Sequence, residues 1–289
     1  MKRTLLVILC LVLVAAGAAM YLDGAETISG GITTMAEQPD LEPEPEPEPA
    51  IPMVSVPLSS LTDTGYLKLV NRDLAVRRFP SYYLLTSAWP TVPVRATDIL
   101  LHQTALAAIS ALLYDGQDVG SFFVSSGYRS EVTQCELYSN AVNRMYVLPP
   151  RHSEHHLGLA ADILAIGIPM NEMSGTTEAN WLAQNAWRHG LILRYPSGTT
   201  HITGVAYEPW HFRYVGGIHA WRITQNEMVL EEYLEYLYLT GGFSAELNGV
   251  QYHVMYIRPS VGGYVYVPRY LQFRLSASNR GGYVITAWE

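Results

Sequence analysis

Ser153-Glu154-His155-His156-Leu157-Gly158-Leu159-Ala160-Ala161-Asp162 and, further along, Glu208-Pro209-Trp210-His211 are the two stretches around which this chain is organised. Together they offer imidazoles, one carboxylate at a ligand-like position and one carboxylate to spare, the inventory of a catalytic zinc site. Three protein ligands drawn from His and Asp leave a fourth zinc position open for water or substrate. The spare carboxylate, Glu208, precedes His211 by three residues and is placed to act as base toward that water. Residues 157–166 are small, β-branched or aliphatic, as in a core strand, so His155 falls where a loop enters the strand and Asp162 falls within it. Gly158 permits a tight approach. In extended backbone neighbouring side chains point to opposite faces, so His156 turns away from whatever His155 faces. His102, His152, His189, His201, His219 and His253 have no partner at ligand-like spacing and read as structural.

On either side of these motifs the chain alternates helices and short strands. Residues 66–71 form a strand-like opening to a folded body that begins near Leu61. Apolar residues at helical spacing (Ile99, Leu100, Leu106, Ile109, Leu112, Leu113) predict an amphipathic helix over 96–114, ended by Asp115-Gly116. A buried strand is expected over 121–125, a second helix over 131–145 and a third over 178–189, stopped by Gly190. Residues 191–195 and 204–207 read as further strands, the latter running into the second motif. After about Gly217 the character changes to a short Tyr-rich helix over 230–239 and alternating runs over 251–257, 263–267, 271–275 and 282–288. Gly-Gly and Asn-Gly pairs punctuate those runs. The fold class expected is α+β: a small antiparallel sheet flanked by helices and carrying the site, followed by a small β-rich C-terminal appendage. The corresponding domains are 54–221 for the catalytic body and 222–289 for the helix and appendage.

Ahead of the body, Met1-Lys2-Arg3 precedes an uncharged apolar run over 4–21. Basic residues ahead of such a run keep that end cytoplasmic and send the rest of the chain across the membrane. Residues 1–22 are therefore a signal-anchor, with a cleaved signal peptide as the alternative, and either way the body is exported. Residues 23–53 form an acidic, Pro/Glu-rich linker. Glu37, Asp40, Glu42, Glu44, Glu46 and Glu48 supply six of the eight net negative charges, leaving about −2 for the remainder. Without a basic stripe, a nucleic-acid partner is excluded. Proline and like-charge repulsion stiffen the linker, which at ~3.1 Å per residue reaches up to ~90 Å from a membrane. The two cysteines, Cys10 and Cys135, leave no disulfide inside the body, and Cys135 is expected to pack as a small hydrophobe.

The two motifs match Ser-x-His-x-x-Gly-x-x-x-Asp and Glu-x-Trp-His of the LAS zinc metallopeptidases, whose hedgehog-type peptidase fold this chain is therefore expected to share. Ser126-Gly127-Tyr128-Arg129-Ser130 with Gln134 downstream, Leu191-Ile192-Leu193-Arg194-Tyr195-Pro196, and the stretch around the second motif strengthen the match. The resemblance is closest to VanY-type D-alanyl-D-alanine carboxypeptidases and covers roughly residues 66–239. It implies that His155, Asp162 and His211 bind one Zn2+ per chain, that Glu208 is the base and that Arg129 stabilises the oxyanion. It also implies that Gln134 and Ser153 contact substrate, with Trp210 packing behind Glu208 and His211. The expected function is removal of the terminal D-Ala from peptidoglycan stem pentapeptides by an exported, membrane-tethered enzyme with no obligate protein partner. The alternatives are an L,D-carboxypeptidase, a D,D-dipeptidase, or a non-catalytic zinc module that binds cell-wall peptides. Two departures from the family pattern stand out. Pro149-Pro150 replaces the usual Pro-Gly turn, and His156 stands where Gln or Asn is usual.

Overall fold

The computed structural model describes residues 51–289, so the expected membrane segment and almost all of the acidic linker lie outside the described residues. In chain order, strand β1 (Met53–Pro57) is followed by β2 (Leu85–Ser87), β3 (Leu100–His102), helix α1 (Gln103–Asp115), β4 (Phe122–Ser126) and α2 (Glu131–Asn140). Then come β5 (Ala160–Ala165), α3 (Thr177–Asn185), β6 (Leu191–Leu193), β7 (His211–Tyr214), α4 (Gly217–Gln225) and α5 (Leu230–Thr240). The chain closes with β8 (Gly242–Leu247), β9 (Val250–Ile257), β10 (Tyr264–Pro268), β11 (Gln272–Ala277) and β12 (Tyr283–Trp288). Among the described residues no helix is long and apolar enough to cross a membrane.

Two four-stranded sheets carry the fold, in the orders β4-β5-β7-β6 and β11-β12-β9-β8, and every pairing within them is antiparallel. The expected α+β class, with a small antiparallel sheet and a β-rich C-terminal region, is what the chain adopts. Helix α1 shows why its residues choose a helix. The His102 side chain caps it by accepting from the Thr104 N–H, and Ala105, Leu106, Ile109, Leu112 and Leu113 form one buried face. That face shares a core with Ala161 and Ile163 of β5 and Phe212 and Tyr214 of β7. A second core joins α4 and α5 (Ile218, Ile223, Leu230, Tyr233, Leu237) to Ile192 of β6 and to Val254 and Val284 of the C-terminal sheet. Helices α4 and α5 are thus the layer between the two sheets.

Several boundaries differ from the sequence-based expectation, each for a tertiary reason. Leu100 belongs to β3, which pairs with β2, so α1 starts only at Gln103. Helix α2 ends at Asn140 with Ala141 extended, and the Asn143 side chain bonds the Met145 N–H within a loop. Residues 66–71 form no strand. Their carbonyls at Tyr66 and Lys68 are taken by the Arg213 guanidinium at 3.0 and 3.1 Å instead of by a neighbouring strand. Residues 204–207 also form no strand. Gly204 turns with φ 71°, and Val205 tucks against Leu148 and Tyr195. Met53–Pro57 pairs with β10, ahead of the start expected near Leu61. Cys135 is exposed on α2, not packed as a small hydrophobe.

His219, on the buried face of α4, joins the layers. Its Nδ1 lies 2.6 Å from the Tyr233 hydroxyl and its Nε2 lies 2.7 Å from Thr286 Oγ1. Burial pushes its pKa down from 6.5 to about 3. The unfolded chain therefore binds a proton that the folded chain refuses, so stability is complete above pH 6.5 and declines as pH falls toward 3. Denaturant midpoints measured from pH 7 to pH 4 should fall, and the fall should be shallower in His219→Gln. Parallel curves for the two proteins would contradict the buried neutral imidazole.

Candidate active site

Sheet register brings the two motifs together. Asp162 on β5 lies directly opposite His211 at the start of β7, and opposite Ser126 on the other side, where the β4 register shifts between Val124 and Ser126. His155 arrives by a different route. It sits in a single 3-10 turn over Glu154–Leu157, capped by the Ser153 hydroxyl, and Gly158 leaves the turn at φ 67°. A Cβ at Gly158 would come within 2.5 Å of Leu85 Cδ2 while holding a left-handed backbone angle, so both the angle and the space favour glycine there. The His155, Asp162 and His211 ligand atoms all lie within 4.8 Å of one another, and all three residues are buried. Glu208 joins them through the turn that Pro209 and Trp210 make, with its Oε2 3.7 Å from His211 Nδ1.

A hydrogen bond behind the His155 imidazole decides which of its nitrogens faces the site. His155 Nδ1 donates to the Gly127 carbonyl at 2.6 Å, which leaves the Nε2 lone pair 3.5 Å from Asp162 Oδ1. Two acceptors therefore oppose each other, an arrangement that a cation between them resolves. His211 Nδ1 lies 3.0 Å from the same Asp162 oxygen. Two imidazole nitrogens and a carboxylate oxygen suit zinc, and the residues present fit it. His156 points away. Its Nε2 accepts from the Arg151 N–H at 3.0 Å and its Nδ1 donates to the Arg129 carbonyl at 2.7 Å.

Burial and close charges shift the ionisable groups of the site in different directions. Burial, with the Arg129 charge, pushes the His155 pKa down to about 4, so that ring is neutral. Burial also works against His211, but the carboxylates of Asp162, Glu154 and Glu208 around it prevail and lift its pKa to about 9. Glu208 is pushed up to about 8 by burial, with the negative charges of Asp162 and Glu154 adding to the effect. Arg129 spans the opening. Its Nη2 donates to Asp162 Oδ2 at 2.8 Å and its Nε donates to Ser126 Oγ at 3.0 Å. Ser130 caps α2 just behind Arg129, and Gln134 follows one turn in, with Oε1 3.5 Å from Arg129 Nη1 and Nε2 donating to the Leu148 carbonyl.

All seven residues singled out from the sequence line one cleft of about 200 Å³, together with Tyr146, Met170, Val205 and Trp210. Trp210 is half-buried on the cleft wall beside Tyr146, so it touches the open space as well as packing against the hydrophobic core. A larger cavity of about 400 Å³ lies between Tyr66, His219, Tyr252 and Trp288 and contains none of the seven. Sequence reading passed over Glu154, Arg194, Arg213 and Glu231, which form a buried ion network directly behind His211. The available signal was charge inside apolar runs, as in Leu191-Ile192-Leu193-Arg194 and His211-Phe212-Arg213-Tyr214.

The sheet and its buried His/Asp/His group have the arrangement expected of the LAS metallopeptidase class. Residues 98–217 match the family described as VanY, D-alanyl-D-alanine carboxypeptidase. A D-alanyl-D-alanine carboxypeptidase of Enterococcus faecium is 37% identical over 170 residues, 59% of this chain and 55% of that protein. The chain thus spans about half the length of that curated relative. A solved structure of the vancomycin resistance D,D-pentapeptidase VanY from a VanB-type resistance cassette, a point mutant in complex with Zn(II), is 32% identical, with a TM-score of 0.51 over 58% of this chain and 98% of that one. The vancomycin resistance D,D-dipeptidase VanXYg shares the fold more extensively, with a TM-score of 0.70 over 83% of this chain and 100% of that one at 24% identity. The chain belongs to the VanY family.

Gly127 tests the geometry. A Cβ there would stand 2.4 Å from the Leu100 carbonyl oxygen, a backbone atom that cannot swing aside. Gly127→Ala should therefore lower stability by about 1–3 kcal/mol in denaturant titration. An unchanged midpoint would mean that β3 does not lie this close to the carbonyl that orients His155.

Proposed function

We propose that the chain is a zinc-dependent D-alanyl-D-alanine carboxypeptidase that removes the terminal D-Ala from peptidoglycan stem pentapeptides. The convergence of His155, Asp162 and His211 at the floor of a cleft walled by Glu208 and Arg129 carries this reading. Those three residues would hold one Zn2+. Bound there, zinc would supply a Lewis acid, a water acidified to a pKa of about 7, and a positive charge that opposes the burial raising Glu208.

The chain's own groups divide the remaining work. The Glu208 carboxylate takes the proton of the attacking water and passes it to the leaving amine, the usual service of a general base that then acts as acid. Arg129 is a fixed cation on the cleft wall, and its guanidinium complements charge that grows on the scissile carbonyl oxygen in the transition state. Ser153 and Gln134 form the wall that receives the terminal dipeptide. Leu137, Tyr146, Val205 and Trp210 give that wall the apolar surface that the methyl groups of alanine require. Export and membrane tethering are part of the same proposal. Lys2 and Arg3 ahead of an apolar run, and the acidic Glu-Pro tract after it, support a catalytic domain held outside the cell beside its polymer.

Incubation with a pentapeptide ending in D-Ala-D-Ala should release one D-Ala, detected by mass spectrometry, and chelation should abolish release. Glu208→Gln should lower kcat by about 10²–10⁴-fold with zinc still bound. Free D-Ala-D-Ala and a tetrapeptide, assayed alongside, should be poorer substrates. Preferential cleavage of either would transfer the assignment to the dipeptidase or L,D-carboxypeptidase reading, and binding without turnover would leave a wall-peptide binding module. Release that survives metal removal would contradict the mechanism.

A further inference from the structure

Behind the three ligand candidates lies a charge network that none of the roles above uses. Glu154, the residue before His155, is 1% exposed, and its Oε1 accepts from Arg194 Nε at 2.8 Å. Arg213 Nη1 stands 2.8 Å from the same oxygen but at an angle too poor for a hydrogen bond. Arg194 continues outward with both terminal nitrogens on Glu231, at 2.8 and 2.7 Å, in the first turn of α5. The other Glu154 oxygen, Oε2, is buried without a hydrogen-bond partner, and it stands 3.8 Å from His211 Nε2, which is also buried and unpartnered.

We propose that Glu154, fixed by Arg194 and through it by Glu231, is the positioning residue for His211. A neutral imidazole has one donor and one acceptor nitrogen, and an ionised carboxylate only accepts. Glu154 Oε2 opposite Nε2 therefore favours a proton on Nε2, so that when a metal takes the place of the proton between Nδ1 and Asp162 the Nδ1 lone pair is the one that binds it. Second-layer carboxylates of this kind orient metal-binding imidazoles and raise their basicity. Glu231 matters because Arg194 and Arg213 are two fully buried cations against the single charge of Glu154. With Glu231 removed, Arg194 is left in surplus and competes for the oxygen that faces His211. Glu231 lies beyond the 98–217 segment that carries the family match. The C-terminal helix thereby becomes part of the metal site's support and not only a connector between sheets.

This inference rests on His155, Asp162 and His211 being the zinc ligands, so its test reads zinc binding separately from peptide hydrolysis. The full chain, Glu154→Gln, Glu231→Gln and the control Glu235→Gln (an exposed partner of Arg280 on the same helix) are compared by chelator competition for zinc. The Co2+-substituted proteins are compared by their visible absorption bands. Glu154→Gln should weaken zinc by about 10–100-fold and shift the Co2+ bands. Glu231→Gln should do the same to a smaller degree, and Glu235→Gln should match the parent chain. Glu231 is partly exposed and carries the test should Glu154→Gln fail to fold. Parent-like zinc affinity and Co2+ spectra in folded Glu154→Gln and Glu231→Gln, even with a lowered thermal midpoint, would show a staple between elements and overturn the proposal alone. A parent chain that binds no zinc would overturn it together with the reading on which it rests.

Discussion

The register of one strand pair governs this molecule. Asp162 faces His211 across β5 and β7. Directly opposed residues of an antiparallel pair share a face, with Cβ atoms about 4.5–5.5 Å apart, so backbone hydrogen bonds set the separation of two ligand candidates. A slip of one residue would turn Asp162 into the core and bring an apolar neighbour into the site. The register is defended from the opposite face, where Ala161, Ile163, Phe212 and Tyr214 pack with α1. The third group is independent of that pair. His155 hangs on a 3-10 turn that Gly158 leaves in the left-handed conformation, and it is oriented by a carbonyl delivered where β4 ends.

Charge buried this deeply needs an explanation beyond stability. Glu154, Asp162, Arg194, Glu208, His211 and Arg213 are each at most 5% exposed. Buried ion pairs recover their desolvation cost only when geometry is close to ideal, so they are weak evidence of stabilisation. Here the arrangement is graded. Arg194 and Arg213 lie behind, hold Glu154 ionised well below the usual carboxylate range despite burial, and leave the carboxylates of Asp162 and Glu208 facing the cleft with His211. The result is a cleft in which the carboxylates of Asp162 and Glu208 and the rings of His155 and His211 are held in fixed positions, a donor set that suits a bound cation better than a purely structural core.

How much of this was legible in the sequence depends on distance along the chain. The motif residues were legible because their chemistry is carried within ten and four consecutive residues. Helix α5 and the alternating runs that became β9, β10, β11 and β12 were legible from periodicity. The C-terminal region's first strand, β8, was missed although Phe243-Ser244-Ala245-Glu246-Leu247 alternates apolar and polar residues, because its run is short and directly follows Gly241-Gly242, and it pairs with β9 across Asn248-Gly249. Strand β1 was hidden because its partner, β10, is distant in the chain. Helix α4 starts at Gly216-Gly217, a pair that reads as a turn. The network behind His211 was hidden for the same reason as β1. Glu154 and Arg194 are 40 residues apart, Arg194 and Glu231 are 37 apart, and no local pattern links them.

Zinc K-edge X-ray absorption on the metal-loaded chain tests the central claim most directly, because it reads the ligand atoms without reference to any substrate. Two imidazole nitrogens at about 2.0–2.1 Å, one carboxylate oxygen and one further light atom, with no sulfur, are expected. The imidazole signal should drop by one ring in His155→Ala and again by one in His211→Ala. A first shell unchanged by those substitutions, or one that contains sulfur, would contradict the assignment of His155, Asp162 and His211 as the zinc ligands.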